Sequence, residues 1–120
     1  MALPNLPSLP HINVMGAVVT GTHGSGIYNT AMATYVHKIA FVDAGGNKRV
    51  LTRGDKDFLS YLHSFGTLGI VYELTMDIVE EYAVRKCVYQ NVPWDSIFPI
   101  RTFDKINGDT DYVSYFTDWK

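Results

Sequence analysis

Cysteine is almost missing from this chain of 120 residues, which contains only Cys87. A single cysteine excludes an intramolecular disulfide framework and a zinc site built from several cysteines. The apolar neighbours Val84 and Val88 predict that Cys87 lies in an apolar strand. We therefore expect a buried, unreactive thiol.

Long apolar runs and a strong excess of one charge are also missing. No stretch approaches the roughly 20 apolar residues that span a bilayer. The proline-interrupted N-terminus lacks the basic start and continuous apolar core of a signal peptide. A net charge of −2 gives no electrostatic footprint for nucleic acid. The sequence predicts a soluble, untargeted protein, with the cytoplasm as its expected compartment and with no membrane or nucleic-acid partner.

The common motifs of metal binding and nucleophilic catalysis do not occur. The four histidines are scattered, without a second ligand at helical spacing, so no metal is expected. The glycines at 21–26 are not followed by the Gly-Lys-Ser/Thr of a Walker A loop. They also lack the spacing of a dinucleotide fingerprint or a nucleophile elbow. No pair of carboxylates can be named as a general acid and base.

What is present is the pattern of a globular α+β domain, with 47% hydrophobic and 18% charged residues. The apolar run from Val14 to Thr20 could be a buried helix or a strand, and Asn13 as a possible N-cap favours a short helix. A hairpin is predicted from strands Val36–Asp43 and Lys48–Arg53. A helix capped by Asp55 and ended by Gly66 follows; its apolar face is predicted to be Phe58, Leu59, Leu62 and Phe65. The last clear strand is Ile70–Val79, with Ile70, Tyr72, Leu74, Met76 and Ile78 on one apolar face. Weaker signals predict a strand at 82–89, a helix at 98–106 and a strand at Tyr112–Thr117.

Two segments carry an unusual composition. Prolines at positions 4, 7 and 10 predict an extended segment over residues 2–12, held against other structure by its leucines. The segment Gly21–Gly26 has three glycines around His23, which permit positive φ and close approach of another group. Its backbone N–H groups could face an anionic ligand, or the segment could be a tight structural turn. Its residues alone leave both interpretations open.

A family resemblance adds to this interpretation. Residues 3–26, LPNLPSLPHINVMGAVVTGTHGSG, closely resemble the flavin-contacting stretch of bacterial alditol (xylitol) oxidases. They are similar, less closely, to L-gulonolactone and D-arabinono-lactone oxidases of the vanillyl-alcohol oxidase superfamily. Arg53-Gly54-Asp55, Phe65–Val71, Leu74–Ile78, Val92-Pro93-Trp94 and the terminal FTDWK follow the same family in order.

The resemblance implies a fold, a cofactor and a set of site residues. Residues 1–80 would be the second half of an FAD-binding domain of the PCMH type, with a mixed or antiparallel sheet and flanking helices. Residues 81–120 would begin a substrate (cap) domain that is truncated here. The implied FAD contacts are Ser8, Asn13, Gly16, Thr20, Gly21, Thr22, His23, Ile70 and Val71. Ser8 would also contact the substrate.

The implied reaction is oxidation of a polyol CH–OH group, with dioxygen as acceptor and with an aldehyde and hydrogen peroxide as products. An aldonolactone oxidase or dehydrogenase is one alternative, and a truncated, non-catalytic flavin-fold binding protein is another. Ser8-Leu9-Pro10-His11 favours the alditol oxidases. The histidine that bonds FAD covalently in relatives belongs to an earlier motif than any in this sequence, and the charged substrate-handling residues belong to later ones. We therefore expect the chain to be a fragment that contains no catalytic residue and is inactive on its own.

Overall fold

The computed structural model describes residues 1–9 and 11–119. Pro10, part of the predicted extended segment, and Lys120, part of the predicted second domain, lie outside the described residues. Contacts divide the chain into two compact units. The first unit contains Met1–His23 and Ala31–Glu81, and the second contains Gly24–Thr30 and the residues from Tyr82 onward. The assignment of 1–80 to a flavin domain and 81–120 to a substrate domain stays a prediction.

The first unit is a three-stranded antiparallel sheet with two short helices, which confirms the predicted α+β class. Its elements are α1 (Val14–Val19), β1 (Val36–Val42), β2 (Lys48–Thr52), α2 (Phe58–Leu62) and β3 (Ile70–Met76). The strand order is β2-β1-β3, and a 3₁₀ turn precedes β1. The predicted hairpin is confirmed as β1 and β2. This architecture is compatible with part of an FAD-binding domain.

The central strand β1 contributes four of the eleven buried hydrophobic residues among those that the structure describes, more than any other element. Ile39 and Phe41 are fully buried beneath the helices, against Val18 of α1 and Leu62 of α2. The ring of Phe41 packs on that of Tyr61 with centroids 4.3 Å apart. Each such side chain contributes about 1.5–3 kcal/mol on burial. The small sheet is therefore held mainly by the single cluster around β1.

The N-terminal segment is held against this unit as predicted. Ala2 and Val79 form an antiparallel bridge, with N–O distances of 3.0 and 2.9 Å in the two directions. Leu3 and Ile12 pack against the core. The Arg53 guanidinium joins the sheet ends by donating to the Val36 carbonyl oxygen at 2.9 Å and pairing with Asp77 at 2.6 Å. No helix among residues 1–9 and 11–119 has the length and apolar character needed to cross a membrane.

The predicted apolar face of β3 is wrong in its first half. The pairing places Ala40 opposite Glu73 but Phe41 opposite Val71, so Tyr72 is an extra residue in β3, as in a β-bulge. Because side chains alternate with a period of two, the bulge exchanges the two faces. Val71 packs against the core, whereas Ile70 and Tyr72 are 77% and 53% exposed.

The helix α2 is shorter than predicted, and its predicted cap is wrong. The Asp55 carboxylate accepts hydrogen bonds from the backbone N and the hydroxyl of Thr52, at 2.7 and 3.1 Å, and the start of α2 has no side-chain cap. Phe58 and Leu62 are buried, but Leu59 is exposed. The helix ends at Leu62, so Phe65 is also exposed and Gly66 lies beyond the end of the helix.

The turn between β1 and β2 is closed by one carboxylate. Asp43 accepts hydrogen bonds from the backbone N of Asn47 at 2.9 Å and of Gly45 at 3.0 Å. The backbone hydrogen bond from Asn47 is the main cause that lowers the pKa of Asp43 below its ordinary value of 3.8. Desolvation partly offsets this effect, whereas the hydrogen bond from Gly45 and the positive charge of Arg49 lower the pKa further. The turn is therefore favoured by the ionised carboxylate.

The lowered pKa of Asp43 predicts a loss of stability in acid. A group with a depressed folded pKa stabilises fully above its unfolded pKa and loses that contribution as pH falls through the folded value. Thermal unfolding of the wild type and of Asp43→Asn should differ at pH 7, and the difference should shrink below about pH 3.8. A difference that stays constant down to the most acidic buffer would contradict this origin.

The second unit contains α3 (Trp94–Ile97) and α4 (Ile100–Gly108). The predicted helix at 98–106 is thus confirmed as α4, with its start moved to Ile100. Among the described residues, 82–89 and Tyr112–Thr117 form no paired strand, so those two predictions are wrong for this chain. Cys87 is exposed, which corrects the expectation of a buried thiol.

Candidate functional site

An open groove of about 550 Å³ lies between the start of α1 and β3 in the first unit. Two of the predicted cofactor residues, Asn13 and Val71, meet on its walls although they are far apart in sequence. The described residues that line it are Leu3, Asn13, Val14, Met15, Val71, Tyr72, Glu73, Leu74, Met76 and Ile78. Its volume is within the range of small-molecule sites.

Asn13 lines this groove, and a hydrogen bond fixes its side chain. Its side-chain oxygen accepts a hydrogen bond from the backbone N of Met15 at 2.8 Å, which confirms it as the N-cap of α1. Its carbonyl oxygen accepts the first helical bond, from Ala17 at 3.0 Å. Because the side-chain oxygen of Asn13 caps the helix, its side-chain NH₂ group is the donor that could form hydrogen bonds with a ligand.

The chemistry of the groove suits a flat apolar group better than a phosphate. Most of the lining side chains are aliphatic, and none of those described is cationic. Glu73 adds a negative charge, which is paired with Lys38 across the neighbouring strand. A ring system with polar edges could lie between aliphatic walls and Asn13. The residues therefore fit the ring portion of a flavin, whereas the diphosphate needs donors from elsewhere.

The other end of α1 is closed by a Schellman motif. Gly21 has φ +68°, its N–H donates to the Val18 carbonyl at 3.1 Å, and the Thr22 N–H donates to Ala17 at 2.9 Å. Both the backbone N and the hydroxyl of Thr20 bind the Gly16 carbonyl oxygen. The interpretation in which the backbone N–H groups are free to face a ligand is therefore wrong for Thr20, Gly21 and Thr22, because all three donate to carbonyl oxygens of α1. The carbonyl end of a helix also disfavours an anion.

The later glycines are explained by packing within the second unit. A Cβ at Gly26 would overlap the Asp111 carbonyl oxygen, and one at Gly24 would lie 3.1 Å from the Tyr112 ring. Ser25 Oγ donates to the Val113 carbonyl at 2.7 Å and accepts from the Val113 N–H at 2.8 Å. Of the two interpretations left open by the sequence, the structural turn accounts for Gly21, Gly24 and Gly26.

The remaining predicted contacts lie in several places. Gly16 is in α1, and a Cβ added there would meet no atom within 4 Å, so the fold itself does not require glycine. Ser8 and His23 are exposed and do not line the groove. Ile70 is exposed at the start of β3, beside Val71. The structure thus brings Asn13 and Val71 together and leaves the other predicted contacts outside the groove.

Sequence reasoning missed most of the groove wall. In the sequence, Leu3, Val14, Met15 and Leu74 do not differ from other apolar residues, because their approach depends on how the N-terminal segment and α1 lie against β3. The one available signal was the apolar alternation along β3. Among residues 1–9 and 11–119, no three side chains of His, Cys, Asp or Glu are grouped so that they could hold a metal ion.

The sequence is similar to known sugar-alcohol and sugar-lactone enzymes. It is 37% identical to an alditol oxidase from a Streptomyces species over all of its 120 residues. It is 29% identical to D-arabinono-1,4-lactone oxidase of Candida albicans over 87 residues, or 71% of the chain. It is 28% identical to L-gulono-1,4-lactone dehydrogenase of Mycobacterium tuberculosis over 86 residues, or 72% of the chain. No protein-family model matches the sequence.

These similarities confirm the resemblance inferred from residues 3–26 and the later motifs. The chain is related to a group of oxidoreductases that includes an alditol oxidase, a D-arabinono-1,4-lactone oxidase and an L-gulono-1,4-lactone dehydrogenase. The similarity to the alditol oxidase extends over the whole length of the chain, whereas the similarity to the two lactone enzymes covers about 70% of it. It spans 28% of the length of the Streptomyces alditol oxidase, and 16% and 20% of the two lactone enzymes.

Proposed function

We propose that this chain is the part of an FAD-dependent oxidoreductase that contacts the flavin ring, in an enzyme that oxidises a polyol. The primary CH–OH group of the polyol would lose two electrons and two protons to dioxygen, giving an aldehyde and hydrogen peroxide. The observation that carries the proposal is the meeting of Asn13 and Val71 on one apolar groove, in a chain related throughout to an alditol oxidase.

The proposed roles of the residues follow from their positions. FAD, when bound, supplies the two-electron chemistry, and the protein orients the groups around it. Val71 and the aliphatic wall would exclude water from one face of the ring, and the Asn13 amide would donate to a polar edge. Gly16, which no neighbouring atom requires to be glycine, supports close approach of a further group to α1. Ser8 would contact the substrate from the exposed N-terminal segment.

Two alternatives have support of their own. The similarity to lactone oxidases and dehydrogenases over about 70% of the chain supports an aldonolactone substrate. Gly21, Gly24 and Gly26 have roles in a helix cap and in packing, so they are not needed to explain a phosphate-binding loop. A flavin-fold protein that has lost catalysis is compatible with this finding. The full-length match to an alditol oxidase favours the polyol over both.

The test replaces the matching segment of the Streptomyces alditol oxidase with this chain. We expect the chimera to bind flavin and to consume oxygen with a polyol, whereas the chain of 120 residues alone binds FAD weakly or not at all. Ser8→Ala in the chimera should lower turnover more than flavin content, because it would remove a substrate contact. Absorbance at flavin wavelengths and peroxide release measure the two quantities.

Different results separate the alternatives. Turnover with an aldonolactone but no polyol would support the lactone enzymes, and a folded chimera that binds no flavin would contradict the proposed function. Stoichiometric flavin on the chain of 120 residues alone would contradict the view that other segments supply the diphosphate contacts. Undiminished turnover in Ser8→Ala would exclude Ser8 as a substrate contact.

A further inference from the structure

The side chain of Arg53 connects the end of β2 with the start of β1 and with the residue after β3. Arg53 directly follows β2, and its backbone N–H donates to the His37 carbonyl oxygen at 2.8 Å. Its guanidinium donates to the carbonyl oxygens of Thr34 at 3.1 Å and Val36 at 2.9 Å, and it pairs with the Asp77 carboxylate at 2.6 Å. A planar fork of donors can reach several acceptors at once, which the single ammonium of a lysine does not reproduce.

The acceptor Asp77 belongs to a segment that the sheet no longer holds. The strand β3 ends at Met76, and Asp77 is the next residue. The Asp77 backbone N–H donates to the Tyr35 carbonyl oxygen at 2.8 Å, and its carboxylate binds Arg53. The two neighbours of Asp77 in the chain, Met76 and Ile78, both line the groove. The Arg53–Asp77 pair therefore holds the residue between two parts of the groove wall.

The same segment also holds the N-terminal part of the groove wall. Val79 and Ala2 exchange two backbone hydrogen bonds, at 3.0 and 2.9 Å. The residue after Ala2 is Leu3, which lines the groove as well. Because Asp77 is two positions from Val79, a shift of Asp77 would reach Leu3 through this bridge. One part of the groove wall, made of Leu3, Met76 and Ile78, therefore depends on residues 77–79.

We propose that Arg53 is a positioning residue for the flavin ring, which acts through Asp77 and sets this part of the groove wall before the ring binds. The inference rests on the proposed function, because it assigns the groove to the flavin. The Arg53 and Asp77 side chains are 45% and 49% exposed, so their charge attraction is screened by solvent and adds little to the stability of the fold. Their effect lies in preorganisation, since a wall that must be ordered during binding lowers the affinity.

Arg53→Lys keeps the positive charge and removes the fork. In the chain of 120 residues, the backbone amides of Asp77 and Val79 should exchange with solvent roughly tenfold faster, because local opening of residues 77–79 becomes easier. The amides of β1, which pairs with a strand on each side, should keep their exchange rates. Hydrogen exchange followed by NMR measures both groups of amides.

The same variant should weaken flavin binding by roughly tenfold in the chimera with the Streptomyces alditol oxidase. Any histidine of the host part that links FAD covalently is replaced, so that titration of flavin fluorescence measures the affinity. Bound flavin should in turn restore slow exchange of the Asp77 and Val79 amides, because the ring would order the wall. A residue that only stabilises the fold would show neither effect.

Arg49→Lys is the matched control. Arg49 is on β2, its side chain is 56% exposed, and it also pairs with an aspartate, Asp43, at 3.5 Å. It is not among the described residues that line the groove. The substitution should leave flavin affinity and the exchange of the Asp77 and Val79 amides unchanged.

Asp77→Ala tests the pair from its other side. It should speed exchange of the Val79 amide and weaken flavin binding as Arg53→Lys does. The double variant should lose no more affinity than the larger of the two single losses, because both substitutions break the same interaction. Fully additive losses would show two independent effects and would overturn the inference.

The remaining results separate the inference from simpler explanations. Unchanged amide exchange in Arg53→Lys would show that the positive charge suffices, and it would overturn the inference. Faster exchange with full flavin affinity, or an equal loss of protection throughout β1, would also overturn it, in favour of a role in the fold alone. A chimera with Arg53 intact that binds no flavin would contradict the proposed function, and the inference would fall with it.

Discussion

Gly69→Ala is expected to destabilise the first unit by about 2–4 kcal/mol, through backbone strain and overpacking together. Gly69 precedes β3 with φ +151°, and a Cβ there would lie 2.5 Å from the Val42 carbonyl oxygen and 2.9 Å from the Phe41 ring. The backbone of β1 cannot move away easily, because it pairs with β2 and β3 on its two sides. The start of β3, including Val71 in the groove, would be displaced instead.

Gly66→Ala is the matched control for this prediction. Gly66 also has a positive φ, of +76°, but a Cβ there would meet no atom within 4 Å. Its substitution should therefore cost only the left-handed backbone penalty, about 1–2 kcal/mol. Chemical denaturation of both variants measures the difference. Equal losses for the two variants would show that the contact with Val42 and Phe41 has no energetic consequence.

Local signals decided which elements could be predicted from the sequence. Asn13 caps α1 through an atom two residues away, and the hairpin turn is closed by Asp43 and Asn47 within five residues. In both cases the residues that determine the structure are adjacent in the chain. The presence and approximate bounds of α1, β1 and β2 followed from them.

Non-local pairing decided what could not be predicted. The bulge at Tyr72 arises where β3 meets β1, so alternation within β3 alone assigned Ile70 and Tyr72 to the wrong face. Ser25 binds Val113, which is 88 residues away, and no feature of the glycine segment signals that partner. A glycine that permits a helix cap and a glycine that admits a ligand satisfy the same backbone requirement. The sequence therefore could not separate the two.

The candidate site was also predictable only in part. The family motif selected Asn13 and Val71, and they do line one groove. One of the two interpretations of Gly21–Gly26, backbone N–H groups that face an anionic ligand, does not hold for Gly21 and Thr22, because their N–H groups cap α1. The feature that supports the proposed flavin binding is therefore the apolar groove at the other end of α1.

Val14→Trp in the chimera should weaken flavin binding by roughly tenfold or more, equivalent to about 1.4 kcal/mol at least. Val14 lines the groove at the first turn of α1 and is 40% exposed, so a larger side chain can be accommodated by the fold but would occupy the space proposed for the ring. Surface substitutions of this kind normally change stability by less than about 0.5 kcal/mol. Flavin retained after gel filtration and quenching of flavin fluorescence measure the effect.

Val50→Trp provides the control, because Val50 is on β2, is 56% exposed and does not line the groove. It adds the same indole to the same protein and should leave flavin binding unchanged. If both variants keep full flavin, the ring does not occupy the groove, and binding must come from residues elsewhere. If both lose flavin equally, the indole perturbs the fold in general. A loss of flavin in Val14→Trp but not in Val50→Trp would support binding of the flavin ring in the groove, because only Val14→Trp fills the space beside Asn13 and Val71.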